Sequence, residues 1–198
     1  MKRYNKVELI RTLEQELNYK RFIHTLAVAG TAASLAMCYG ASVEKAELAG
    51  LLHDCAKCIP NKKKIKMCDE NGVTLTEFER SHPFLIHAKL GAFIAGRHYG
   101  VSDPEILSAI TWHTTGKPEM SLLEKIVYIA DYIEPMRCKS PDLPQIRKMA
   151  FEDLDECMYL VLKSTVTFLG DDPSSVDPIS LRAYDYYRTM HFACVHRV

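Results

Sequence analysis

"AELAGLLHDCAK", residues 46–57, decides the fold. Leu48, Leu51, Leu52 and Cys55 recur at helical spacing, so a helix over 43–57 with one buried face is predicted. That buried face runs into His53 and Asp54, and a buried ionised carboxylate is costly unless it is paired or bound to a metal. The rest of the chain has to supply the partner.

Working outward, helical signals continue almost without a break. Asp103-Pro104-Glu105 reads as an N-cap with proline at the first helical position. Ser121 with Glu124, and Thr74 with Glu77, have capping-box spacing. Pro83 opens and Gly100 closes the helix of "FLIHAKLGAFIAGRHYG", while Pro60 and Pro135 end others. Helices are expected near 5–16, 19–39, 43–57, 62–70, 75–80, 84–98, 104–113, 122–133, 143–149, 151–169 and 179–195. No alternating strand pattern competes, so the class is all-α, one domain over 1–198 with core motifs at about 19–140 and C-terminal helices at 143–196 packed on that core.

Composition narrows the partners. Lysine plus arginine equals aspartate plus glutamate, 25 each, so there is no basic field to grip a nucleic-acid polymer. A small-molecule partner is expected instead. "MKRYNKVELI" lacks the apolar core of an export signal, and the run Leu26–Ala41 is shorter than the roughly 20 residues of a membrane span. Seven scattered cysteines then read as reduced thiols of a cytoplasmic protein, Cys55 and Cys58 included, since no second ligand pair matches their spacing. The charge run "NKKKIK", residues 61–66, reads as a solvated helix face.

The histidines sort by surroundings. His24 in "KRFIHTLAVAG", His53 and Asp54, His87 in "FLIHAKLGA", His113 in "ITWHTTG" and Asp131 in "VYIADYIEP" all sit on otherwise apolar helices or at their ends. Four imidazoles and two carboxylates suit one or two transition ions such as iron, manganese, cobalt or zinc. A carboxylate bridging two ions roughly 3.5–4 Å apart would explain the doublet, with Asp54 charge-balanced by metal. His82 and His98 read as residues of helix ends, and His191 and His196 as tail residues.

The order His24, His53-Asp54, Asp131 resembles the H…HD…D signature of the HD superfamily of metal-dependent phosphohydrolases. His87 and His113 match its members that hold two metals. "RFIHT", "LLHDCAK", "LIHAKLGA", "WHTTG" and "YIADYIEPMR" are similar to the YqeK family of symmetrical diadenosine tetraphosphate hydrolases, over residue 5 to "DPISLRAYDYY" at 177–187. The pattern departs at Asp177, where the family has a histidine before the proline.

Apart from the resemblance, three cations sit beside the ligand motifs. On a continuous helix Lys57 shares the face of His53 and Asp54, Arg21 lies one turn before His24, and Arg137 follows Asp131 just past Pro135. The resemblance implies a helical HD bundle with two ions, iron foremost, on His24, His53, Asp54, His87, His113 and Asp131. It implies water activated by these ions attacking an inner phosphorus of a dinucleoside tetraphosphate, giving two nucleoside diphosphates. Asp54 and Lys57 are then the catalytic residues, and Arg21, His53, Lys57, Thr114, Arg137, Asp177, Pro178 and Ser180 face the nucleotide. An HD-type di-iron oxygenase or another nucleotide phosphohydrolase of the superfamily shares this ligand set, whereas nucleotide-sensing modules often lose ligands and this set is complete. A homodimer is left open.

Overall fold

Helices α1 (Lys6–Glu16), α2 (Tyr19–Tyr39), α3 (Val43–Leu52), α4 (Asn61–Glu70), α5 (Glu77–Ser81) and α6 (His87–Arg97) form the first half of the chain. Helices α7 (Pro104–Trp112), α8 (Leu122–Ile133), α9 (Leu143–Met149), α10 (Leu154–Leu169) and α11 (Pro178–Val195) follow. The computed structural model describes residues 5–138, 140–170 and 175–195, and no strand occurs among them. The all-α class is the one observed. His196 and the last position of the expected 143–196 helical segment lie outside the described residues.

Helix α2 organises the core. Asn18 caps it by accepting the Arg21 amide, and Gly40, at φ 67°, closes it in the left-handed region that favours glycine. With 21 residues α2 is long and apolar enough to cross a bilayer, more than the run 26–41 suggested. In this fold it is a bundle helix instead, packed on α3 and α8, with Val28, Ala32, Leu35 and Ala36 all fully buried. Small residues let α3 come close. A Cβ on Gly50 would lie 2.7 Å from the Ala29 Cα, so only glycine permits this crossing. Helices α6 and α7 pack together, α7 packs on α8, and α10 joins α8, α9 and α11. A smaller cluster of Ala56, Cys68, Ile86 and Leu90 seats α4 on α6.

Helix boundaries differ from expectation where histidines intervene. Helix α3 stops at Leu52 rather than 57. The His53 ring takes the Gly50 carbonyl at 2.7 Å, the acceptor that the next helical amide would use. The chain then proceeds by tight turns, Cys55 N–H to Leu52 O, Lys57 N–H to Asp54 O and Ile59 N–H to Ala56 O. Lys57 therefore reaches the site from a turn, not from a continuous helix face. Helix α6 likewise begins at His87 instead of 84, with the Phe84 carbonyl bonded to the His87 ring. Helix α10 begins at 154 because the Asp153 side chain caps both Asp155 and Glu156 amides. The Ser121–Glu124 capping box is present. The other box is Thr76–Glu79, not Thr74–Glu77, since Glu79 is buried and also holds Lys89.

Candidate metal centre

Three histidines are oriented by one device. The Nδ1 atoms of His53, His87 and His113 face the carbonyls of Gly50, Phe84 and Ile110, each three residues earlier, at 2.6–2.7 Å. With Nδ1–H donating to a carbonyl, each Nε2 is left as a bare acceptor pointing inward. His24 is held differently: its Nδ1 lies 3.1 Å from Oε1 of Glu134, a carboxylate buried below the site. Glu134 also accepts the Met136 amide through Oε2.

The inward atoms form two halves. In the first, His24 Nε2 lies 3.3 Å from His53 Nε2 and 3.0 Å from Asp131 Oδ1, and His53 Nε2 lies 3.3 Å from Asp54 Oδ2. In the second, His87 Nε2 lies 3.2 Å from both His113 Nε2 and Asp54 Oδ1. His113 Nε2 is 3.6 Å from the same oxygen. The donor atoms of His24, His53 and Asp131 fall within 4.8 Å of one another, as do those of His53, Asp54 and His113. Asp54 thus turns one oxygen to each half. All six sequence-expected ligands meet at this one place.

The donor set fits a divalent ion. The first half brings two imidazole lone pairs and two carboxylate oxygens together, a donor set that suits a divalent transition ion. In the second half, Asp54 Oδ1 is buried with no hydrogen-bond partner among the described residues. Burial alone would raise the Asp54 carboxyl, but the surrounding imidazoles hold it well below the usual carboxylate range. Asp131 is also held low, against burial, by His24, His53 and Arg137. Burial pushes the His87 imidazole down to about 4, helped by the Lys57 charge. Burial would lower His53 as well, yet the Asp54 carboxylate beside it raises it.

The cations close the outer side. Arg21 Nη1 donates to Asp54 Oδ2 at 2.5 Å, and Arg137 Nη2 to Asp131 Oδ1 at 2.8 Å. Lys57 Nζ lies 3.1 Å from His87 Nε2 and 3.9 Å from Asp54 Oδ1. Burial pushes the Lys57 ammonium below its ordinary value. Thr114 Oγ1 stands 3.1 and 3.0 Å from the Nε2 atoms of His87 and His113.

The C-terminal candidates lie elsewhere. Asp177 accepts the Ile179 amide at the start of α11, and the half-turn puts Ser180 Oγ on the Thr115 carbonyl at 2.9 Å. Ser180 thereby ties α11 to the loop that carries Thr114, while Asp177 caps the start of the helix. A cavity of about 800 Å³ opens there, lined by Thr111, Trp112, Thr115, Asp177, Pro178 and Arg182.

Two residues escaped the sequence reading. Glu134 stands in "YIEP" with no local sign that it reaches back to His24. Lys64 departs from the solvated face expected of 61–66: it is buried, donates to Asn61 Oδ1 at 3.2 Å, and is held low by burial and by Lys57. Of the C-x-x-C pair, expected as buried or half-buried thiols, Cys55 is buried with its pKa pushed up, whereas Cys58 is exposed and accepts from the Asn18 side-chain amide. His191 is more than a tail residue, stacked on Tyr159 at 4.3 Å and paired with Glu156.

Known proteins resemble this chain over most of its length. The HD domain family model matches residues 21–136. A symmetrical bis(5'-nucleosyl)-tetraphosphatase of Bacillus subtilis is 38% identical over 92% of this chain and 97% of its own length. One from Staphylococcus aureus is 37% identical over 89% of this chain and 91% of its own. A crystal structure from Clostridium acetobutylicum, described as a predicted HD superfamily hydrolase involved in NAD metabolism, superposes with a TM-score of 0.88 at 37% identity, covering 94% of this chain and 98% of that one.

Proposed function

The chain belongs to the HD domain family, among relatives of the symmetrical bis(5'-nucleosyl)-tetraphosphatases, and from that premise we propose that it hydrolyses dinucleoside tetraphosphates at the central anhydride. Two nucleoside diphosphates are the products, diadenosine tetraphosphate is the main substrate, and the whole chain acts as one cytoplasmic domain. The carrying observation is Asp54, whose two oxygens face separate sets of imidazoles while Arg21 and Lys57 stand beside it.

His24, His53 and Asp131 would hold one divalent ion and His87 with His113 a second, Asp54 serving both; iron is the foremost candidate. Bound ions supply Lewis-acid charge and a water acidic enough to attack at neutral pH. The remaining work belongs to side chains. Glu134 keeps His24 in the tautomer whose Nε2 is free. Lys57, close to Asp54 and His87, stabilises charge that develops on the phosphoryl oxygens. Arg137 and Arg21, which donate to Asp131 and Asp54, clamp the outer phosphates through their remaining N–H groups, and Thr114 orients the inner one. Ser180 holds α11 against Thr115, and Asp177 and Pro178, which line the cavity there, shape one nucleoside site with it.

Anaerobic purification, metal analysis and product chromatography test this reading. Diadenosine tetraphosphate should yield ADP alone, with nucleoside triphosphates poor substrates and no oxygen consumed. Equal AMP and ATP would overturn central cleavage, and oxygen uptake would favour the oxygenase chemistry instead.

A further inference from the structure

We propose that a second cavity, between α8, α9 and α10, binds the base and sugar of the other nucleoside arm. This rests on the reading of the site as a dinucleoside tetraphosphate hydrolase. The cavity measures about 760 Å³ and is walled by Tyr132, Arg137, Leu143, Gln145, Lys163 and Phe168, with others. A volume of this order, mostly apolar with a few polar groups, suits a nucleoside.

Its position relative to the metal centre gives it meaning. Arg137 forms part of its wall and also donates to Asp131 Oδ1 at 2.8 Å, so the cavity adjoins the His24–Asp131 half. The cavity lined by Thr111, Trp112 and Thr115 instead flanks His113, in the other half. A substrate symmetrical about its scissile anhydride carries two equal arms, and each half of the centre has one cavity beside it. Arg137 would hand the outer phosphate of one arm into the cavity, while Lys163 brings positive charge to the same wall.

Phe168 supplies the recognition surface. It is 87% exposed and stands on the cavity wall, so its ring face is open to a ligand. An aromatic face so placed can stack on a purine without demanding one particular base.

The variants Phe168→Ala and Gln145→Trp test this, the first removing the platform and the second filling the space. Both positions are exposed and touch neither the ligands nor the reacting atoms, so metal content and helicity should match the parent. We expect KM for diadenosine tetraphosphate to rise about 5- to 150-fold in each, with kcat nearly unchanged. Equilibrium dialysis should show ADP binding fall from two per chain to one. Unchanged KM and unchanged ADP stoichiometry in both variants would overturn the proposal. A parent that cleaves no dinucleoside tetraphosphate would refute the hydrolase reading, and the cavity would then be judged by ADP binding alone: loss in both variants supports it, persistence overturns it.

Discussion

Removing Glu134 should empty one half of the metal centre and spare the other. Its Oε1 lies 3.1 Å from His24 Nδ1 and its Oε2 accepts the Met136 amide at 2.6 Å, in a site where Glu134 is 2% exposed. Glu134→Ala therefore frees the His24 ring to rotate and to change tautomer, and leaves one buried donor, the His24 Nδ1–H, without an acceptor, while the Met136 amide stands on an exposed residue. Loss of such an outer partner typically costs about 10–100-fold in metal affinity, or ~1.4–2.7 kcal/mol. That orphaned donor adds a folding cost of about 1–3 kcal/mol unless water enters. The imidazoles of His87 and His113 keep their own carbonyl partners, so their half should be untouched. Titration of the metal-free protein with ferrous or manganous ion against a chelator of known affinity reads this directly. We expect two binding steps in the parent and one step displaced by 10–100-fold in Glu134→Ala. Glu134→Gln, which keeps an acceptor but loses the charge, should fall between. Equal weakening of both steps, or no change in either, would refute the division of the centre into two halves.

Further outcomes follow from other contacts. Gly50→Ala should cost about 1–3 kcal/mol through overpacking, because its Cβ would meet the Ala29 Cα at 2.7 Å, and metal content should fall as the Gly50 carbonyl shifts from His53. Gly30→Ala, with open space around the added Cβ, is the control and should leave the melting temperature level or higher. Chelation should lower the melting temperature by roughly 5–11 °C relative to protein held at about 100 times the metal Kd, and added metal should restore it; superposable melting curves would remove the metal from the folded state. Lys57→Ala should retain metal and lose about 10²–10³ in kcat, whereas Arg137→Ala should chiefly raise KM. If both variants turn over like the parent, these cations are ordinary surface charges.

The helices were legible because their causes are local. The spacing of Leu48, Leu51 and Leu52, the Asp103-Pro104 start and the Ser121–Glu124 box each act within one or two turns, and α7 and α8 begin where those signals stand. The metal ligands were legible for a different reason: each is a costly polar group in an apolar context, so six of them demanded a common partner. Helix ends at the ligands were not. The rings of His53 and His87 take backbone carbonyls, and that competition is visible only once the rings must also point inward. Glu134 was hidden because its partner lies 110 residues away in sequence. Lys64 was hidden because a lysine in a charge run looks solvated until the fold buries it. The capping box at Thr76 was displaced by two residues because burial of Glu79, not spacing alone, chose between two equally spaced pairs.

Hydrolysis of diadenosine tetraphosphate in ¹⁸O-labelled water tests the central claim most directly. Attack at an inner phosphorus with departure of ADP predicts that ADP is the sole nucleotide product, that half of its molecules carry one solvent oxygen on the terminal phosphate, and that Asp54→Ala abolishes the reaction along with metal binding. Labelled AMP or ATP among the products, or an Asp54→Ala variant that keeps both metal and turnover, would contradict it.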